Sequence, residues 1–352
     1  HLVDKGHLFD QIGVNYSGAE ATRVQSYRSQ SRNLTMVARM LHDFQTADVL
    51  DVACGFGVTT LAVAAHNPRS ITSIDPSETL TSLAKLIMQN DDDITAWYEQ
   101  HDGHRLLGES FHQTVDYIAA LRNGFKECLF HEQGKQPSIL QAGLMEFDLA
   151  AQYDVVTLNN GLHWVVSHRL QPEVDPPASE TMRAVLVKAL RKIRILMKKG
   201  GVFVFQSPKI FVEFVEPELE VHFTKHLAQA HPVLNILNAK VREIFETEQG
   251  IQRTVGTSPP FIYRLREMSE VAQESGFRLA ETIHMEETLL SDDVLGYFKL
   301  LIPINLGDID VPMAEKVRVV NEAAARIKPE ASRLPQNHYI PDHWHIFALF
   351  AD

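Results

Sequence analysis

The chain has 352 residues, 45% of them hydrophobic, and its 45 Asp and Glu outnumber 33 Lys and Arg for a net charge of -12. That size exceeds one minimal domain of roughly 200 residues, and the acidic balance lacks the concentrated basic surface that a phosphate backbone requires, so no nucleic-acid partner is expected. Apolar runs fall short of the roughly 20 residues that span a bilayer, the opening residues carry no basic-then-apolar leader, and Cys54 and Cys128 are the only cysteines. A cytoplasmic protein with no membrane partner and no disulfide framework is therefore the expectation.

Residues 48–60 carry the first chemically informative pattern. Val49, Leu50 and Val52 suit a central parallel strand, while Gly55 and Gly57 lack the Cβ that would block a ligand or forbid positive φ. Thr59–Ala65 reads as the helix after this turn. A second apolar strand, Ile71–Ile74, closes on Asp75, where a carboxylate accepts hydrogen bonds from both hydroxyls of a ribose. A nucleoside cofactor follows. A dinucleotide would need a third glycine where Thr60 stands, and Asp51 would repel pyrophosphate. Asp51 instead suits a cation, such as the sulfonium or ammonium of S-adenosylmethionine.

At this point Asp51-Val52-Ala53-Cys54-Gly55-Phe56-Gly57 resembles the first motif of class I S-adenosylmethionine-dependent methyltransferases, with Ala53 in place of the first glycine. Ala, the smallest replacement, makes that a mild departure. The resemblance implies an α/β fold, a Rossmann-like seven-stranded doubly wound sheet with helical lid insertions, and S-adenosylmethionine as cofactor. It also identifies Phe9–Tyr16 with a leading segment that folds over the cofactor, so that residues 1–34 form an N-terminal helical segment and Tyr16 closes the pocket or meets the methionine carboxylate. Arg23 and Arg28 are either carboxylate partners or solvated helix residues.

Further along the chain, Phe111, Val115, Ile118, Ala119, Leu121 and Phe125 fall on one helical face inside an inserted segment, 91–137. A short strand near Ile139 precedes Gly143, where the resemblance would place an acid for the adenine amino group. Leu144 and Met145 then become the adenine walls, with Glu146 an alternative acid. Tyr153–Asn160 resembles the fourth strand, with Asn159 at the cofactor end. A helix over Thr181–Met197, a turn at Lys198–Gly201 and Val202–Phe205 resemble the approach to strand five and the strand itself. Glu267–Gly276, Phe277–Leu279 and His343–Phe350 resemble the last helix and strands six and seven. The methyltransferase core then spans 35–208 and 262–352, and segments 91–137, 209–262 and 287–340 are inserted helical lid or oligomerisation segments, one expectation being a homodimer through them.

The resemblance places the cofactor against Tyr16, Asp51, Ala53, Gly55, Gly57, Asp75, Pro76, Leu144, Met145 and Asn159. His163 and Trp164, which follow strand four, and Tyr263, past the Pro259-Pro260 loop, are the expected substrate-binding residues. His163 is the expected catalytic base or orienting group. The bland alternative has His163 capping its loop and Trp164 packing on a helix. His343 and His345 share one face of a strand, but a third ligand is missing from the pattern, so no metal is expected. The partner is a small-molecule methyl acceptor, carboxylated or hydroxylated, methylated at oxygen or carbon. The competing reading is a non-catalytic S-adenosylmethionine-binding regulatory or partner protein; a nicotinamide oxidoreductase is disfavoured by Asp51 and Thr60.

Overall fold

The computed structural model describes residues 5–22, 26–148, 152–162, 179–208, 212–213, 232–251, 263–290, 295, 299, 302–306, 309–333 and 339–352. Seven strands form one sheet: β1 (Asp48–Val52), β2 (Ser70–Asp75), β3 (Ser138–Gln141), β4 (Tyr153–Asn159), β5 (Met197–Pro208), β8 (Phe277–Leu290) and β9 (Tyr339–Ala351). A separate two-residue pair, β6 (Val212–Glu213) and β7 (Tyr263–Arg264), is parallel. The order across the large sheet is β3-β2-β1-β4-β5-β9-β8. The first five are mutually parallel, and β9 runs antiparallel to both β5 and β8.

Alternation along the strands divides the apolar residues between two faces. Val49, Ile71, Val155 and Val204 join one buried cluster with α1 (Lys5–Thr22), α2 (Ser26–Leu41), α3 (Val58–Ala64) and α4 (Glu78–Met88). Leu50, Ile74, Val156 and Phe205 join the other, with helices Ser179–Leu196 and Leu265–Glu274. Helices on both faces explain why β1 and β4 read as almost continuous apolar runs. On the second face Phe203, Phe205 and Phe347 stack at 5.1 and 4.8 Å.

Several expected boundaries move. α2 continues to Leu41, so residue 34 falls inside a helix. Strand five begins at Met197 rather than Val202, because the Lys198–Gly201 turn is absorbed as an irregularity opposite Tyr153 and Val155, with Gly200 at φ 78°. β8 and β9 extend past the core as a long antiparallel ladder whose last pair is Leu290 with Tyr339. β8 and β9 stay paired over this extension, so residues 287–290 and 339–340 belong to the sheet.

The first insertion also takes a different place. Phe111, Ile118, Leu121 and Phe125 lie on one face of helix Phe111–Lys126, as their spacing predicts, but they are buried with α1, α3 and α4 in the main core. Segment 91–137 therefore thickens the sheet's first face. The described parts of the other two insertions join each other. Leu237, Val241 and Phe245, from helix Pro232–Glu243 and the π-turn after it, pack on Val320, Ala323 and Ile327 of helix Met313–Ala331, forming a third core. Val317 of the same helix reaches the main core beside Ile346.

Candidate active site

β1 delivers the chain into a tight turn. Cys54 N–H donates to Ile74 O at 3.0 Å, Gly57 N–H donates to Cys54 O at 2.9 Å, and α3 starts from Gly57 at φ 94°. An added Cβ at Gly57 would fall on Met88 Cε, so side-chain packing as well as φ requires glycine there. At Gly55, φ 55°, an added Cβ would meet nothing nearer than Tyr16 Cε1 at 4.0 Å. The missing side chain leaves room between the turn and the Tyr16 ring, which packs edge-on against Phe56 and Phe9 at 6.0 and 6.3 Å. Ala53 adopts φ 53°, a left-handed conformation that costs a Cβ-bearing residue about 1–2 kcal/mol. The glycine-to-alanine departure is thus strained, not mild.

Asp75, at the tip of β2, ties the turn to the next helix. Its two carboxylate oxygens accept from Gly55 N–H at 2.9 Å and Ser77 N–H at 3.0 Å. Burial nevertheless raises its pKa to about 6. Ser77 Oγ caps α4 by accepting from Leu80 N–H at 3.1 Å. Asp10 of α1 crosses to the same helix start and accepts from Ser77 Oγ at 2.8 Å and Thr79 N–H at 3.0 Å. A carboxylate at a helix N-terminus is favourable there, and this contact docks the leading helix above the turn.

Asp51 has a different role from the one its charge suggests. It is fully buried, and its oxygens accept from Thr60 Oγ1 at 2.7 Å and Thr157 Oγ1 at 2.9 Å. Burial raises its pKa to about 7. The carboxylate thus braces β1 against α3 and β4 from inside the core, and a direct contact with a cationic ligand is not where its hydrogen bonds go. Cys54 is buried, with its thiol pushed up by burial, which matches a wall residue.

β4 ends at Asn159, whose Nδ2 donates to Ser31 Oγ of α2 at 3.1 Å; Ser31 Oγ in turn lies 3.0 Å from Thr59 Oγ1. The side chain of Asn159 therefore clamps α2 to the strand end. Asn160 follows at φ 52°, and its N–H donates to Gln206 O at 2.9 Å. A Cβ on Gly161 would come 2.7 Å from Ala53 Cβ, so the two loops touch at their smallest residues. Leu144 is buried and Met145 half-buried at the end of β3. A side chain at Gly143 would fall on Glu146 Oε2, so Glu146 fills the space of the missing acid. Pro76 is half-buried, and its carbonyl accepts from Gln141 Nε2 at 3.4 Å.

His163 and Trp164 lie outside the described residues, as does the side chain of Tyr263, whose backbone pairs with Val212. His345 is buried and stacks on His284 at 5.0 Å. The roles of Thr60, Thr157, Ser31 and Asp10 were missed from sequence. Thr157 had one signal, a hydroxyl in the middle of a buried strand that needs a partner.

The fit of this crest to a nucleoside sulfonium ligand rests on three features. Gly55 leaves a gap that a side chain would fill, Asp75 offers carboxylate lone pairs beside it, and the buried amide of Asn15 has both of its polar atoms without partners among the described residues. Among the described residues no helix is long and apolar enough to cross a membrane.

Comparison with known proteins gives a family-model match described as a methyltransferase domain over residues 24–282. No curated protein matches. Similar solved structures include a candidate methyltransferase from Bacillus halodurans C-125, at 14% identity over 92% of this chain and 99% of that one, TM-score 0.46. The cyclase SpnF matches at 13% identity over 98% and 95%, TM-score 0.45. Magnesium protoporphyrin IX methyltransferase from Synechocystis PCC 6803 matches at 10% over 93% and 84%, TM-score 0.40. Because the family match covers residues 24–282, which take in β1 to β5 and the start of β8, the chain belongs to the methyltransferase-domain family and is a class I S-adenosylmethionine-dependent methyltransferase.

Proposed function

We propose that this enzyme methylates a small carboxylated or hydroxylated metabolite, at oxygen or carbon, beneath a helical cover built from the insertions after β5 and between β8 and β9. The observation that carries this reading is the third core: Leu237, Phe245, Val320 and Ile327 pack on one another, so those apolar side chains are spent within the insertion. That favours a self-supporting cover over a dimer interface.

In this reading the backbone of Gly55 and Gly57 holds the methionine end of the cofactor, and Asp75 accepts from the ribose hydroxyls in exchange for part of its present bonding. Leu144 and Met145 wall the adenine, with Pro76 at its edge and Glu146 accepting from its amino group. Tyr16 closes over the turn from α1. Asp51 and Asn159 act on the cofactor by fixing strand ends, Asp51 through Thr60 and Thr157, Asn159 through Ser31. S-adenosylmethionine supplies a methyl group on a positively charged sulfur, a good leaving arrangement for in-line displacement. The protein then has to orient an acceptor lone pair, exclude water and, for a hydroxyl or carbon acceptor, remove one proton.

His163, four residues past the end of β4, is the group assigned to that proton, and Trp164 and Tyr263 are assigned to the acceptor pocket. A methyl-labelled cofactor incubated with the enzyme and a metabolite extract, or separately with protein and RNA fractions, tests the acceptor class. Label in the small-molecule fraction is expected; label only in protein or RNA overturns it. Substitution of His163 by Ala is expected to lower turnover about 100-fold or more with S-adenosylhomocysteine affinity little changed, and equal loss of both would remove its assigned role.

A further inference from the structure

Gln206 sits near the end of β5 and is fully buried, yet among the described residues neither its amide oxygen nor its amide nitrogen has a hydrogen-bond partner. Its register neighbour on β4 is Asn159, on the same face of the sheet, whose Oδ1 is also buried and unpartnered. Both lie beneath α2, where Ser31 already takes the Asn159 Nδ2 hydrogen bond. On its other side Gln206 is in register with apolar Ile346 of β9. Leaving a donor and two acceptors dry and unpaired is costly in any core, and a leucine at position 206 would have avoided most of that cost. Such unmet groups are characteristic of sites that complete their bonding with a ligand.

Strand order says which ligand. The glycine turn and Asp75 stand on β1 and β2, whereas Gln206 is on β5, beyond β4 and about 10 Å from β1 at the usual strand spacing. A donor that spans the crest of β2, β1 and β4 presents its next neighbour to β5. The chemistry of the group follows from what is missing. Among the described residues the only buried cation is Lys316, and its Nζ donates to Leu306 O at 2.6 Å. A carboxylate placed against two amides with no cation would remain an uncompensated buried charge.

We propose that Gln206, with Asn159 Oδ1, is a specificity-determining subsite that holds a neutral donor-and-acceptor group of the methyl acceptor, a hydroxyl or a carboxamide. This rests on the small-acceptor reading above and narrows it: an acceptor's carboxylate, where present, is held elsewhere. Gln206 donates through Nε2 and accepts through Oε1; Asn159 Oδ1 accepts the second N–H of a carboxamide, or shares with Gln206 Oε1 the single hydrogen of a hydroxyl. No bond is made or broken by either residue; they fix the acceptor's orientation.

The test uses the full chain saturated with S-adenosylhomocysteine, and the near-isosteric variant Gln206→Met. Benzamide, benzyl alcohol and benzoate, which vary the polar group on one apolar ring, are titrated by saturation-transfer NMR. Benzamide and benzyl alcohol are expected to bind the unmutated enzyme at least tenfold more tightly than benzoate, and to lose at least tenfold in the variant. The variant's Tm is expected to equal or exceed that of the unmutated chain, and its S-adenosylhomocysteine affinity to change less than twofold.

A lowered Tm would mean that the amide has a structural role. A tenfold loss of S-adenosylhomocysteine affinity would assign Gln206 to the donor site. Either result, binding of benzoate as tight as benzamide, or no binding by any of the three overturns the proposal. Failure of the small-acceptor reading is scored separately, by where label goes with the unmutated enzyme.

Discussion

The two ends of the sheet treat their charges in opposite ways. At the amino-terminal end of β1 and β4, Asp48 and Asp154 are satisfied by cations: Lys198 Nζ lies 2.8 Å from Asp154 and 3.3 Å from Asp48, and Arg69 Nε donates to Asp48 at 2.8 Å. The Arg69 hydrogen bond holds the Asp48 carboxyl well below the usual carboxylate range. At the carboxyl end, among the described residues, Asp51 and Asp75 are buried with no cation bonded to them, and the amides of Asn15, Asn159 and Gln206 have atoms with no partner. One end is built for stability, and the other keeps unspent bonding capacity for a ligand. That asymmetry is what ligand binding at the carboxyl ends of an open α/β sheet requires.

The largest expected effect that would break this comparison is on pH dependence. Burial raises Asp51 to about 7 and Asp75 to about 6, above the 3.8 of an ordinary aspartate, so between about pH 4 and 7 the folded chain holds protons that the unfolded chain has released. Their contribution is present in acid and lost as pH rises through that window, on the order of 4 kcal/mol for Asp51. Asp48, depressed, acts in reverse and loses its contribution as pH falls below its unfolded value. Ligand-free protein is therefore expected to melt higher at pH 5 than at pH 7.5, and Asp51→Asn to flatten that difference. A Tm rising steadily from pH 5 to pH 7.5 would contradict the buried, uncompensated state of this end.

Next in size, Asp75→Ala removes the acceptor of Gly55 and Ser77 N–H and is expected to weaken S-adenosylhomocysteine binding by about 2–3 kcal/mol in calorimetry. Gly161→Ala places its methyl against Ala53 Cβ and should cost about 1–3 kcal/mol of stability. Ala53→Gly relieves both that contact and the φ of 53°, so denaturant melts of the double mutant should show a coupling of about 0.5 kcal/mol or more. The smallest effect sharpens the contrast from the other side. Lys198→Ala at the partly exposed ionic end should cost about 1 kcal/mol or less and leave S-adenosylhomocysteine affinity unchanged.

What could be read from sequence follows the range of the interactions involved. The glycine turn, Asp75 and the apolar runs of β1, β2 and β4 depend on neighbours a few residues apart, and they appear where the pattern places them. The helical face of Phe111–Phe125 is legible too, but a stripe says that a face is buried and not against what; the partners α1 (Lys5–Thr22) and α4 (Glu78–Met88) lie far back in the chain. Asp10 meets Ser77 across 67 positions, and Asn159 meets Ser31 across 128. Such pairs carry no local signal. The charge of Asp51 suggests a cationic ligand, whereas its partners Thr60 and Thr157, 9 and 106 positions away, give it a bracing role that charge alone does not suggest.

Hydrogen–deuterium exchange of the full chain with and without S-adenosylhomocysteine tests the asymmetry most directly. The account predicts new protection at the amides of Cys54–Gly57 and Ser77, with no change at Asp48 and Ser70. Protection confined to the amino-terminal end, or protection of the turn by NAD and none by S-adenosylhomocysteine, would contradict it.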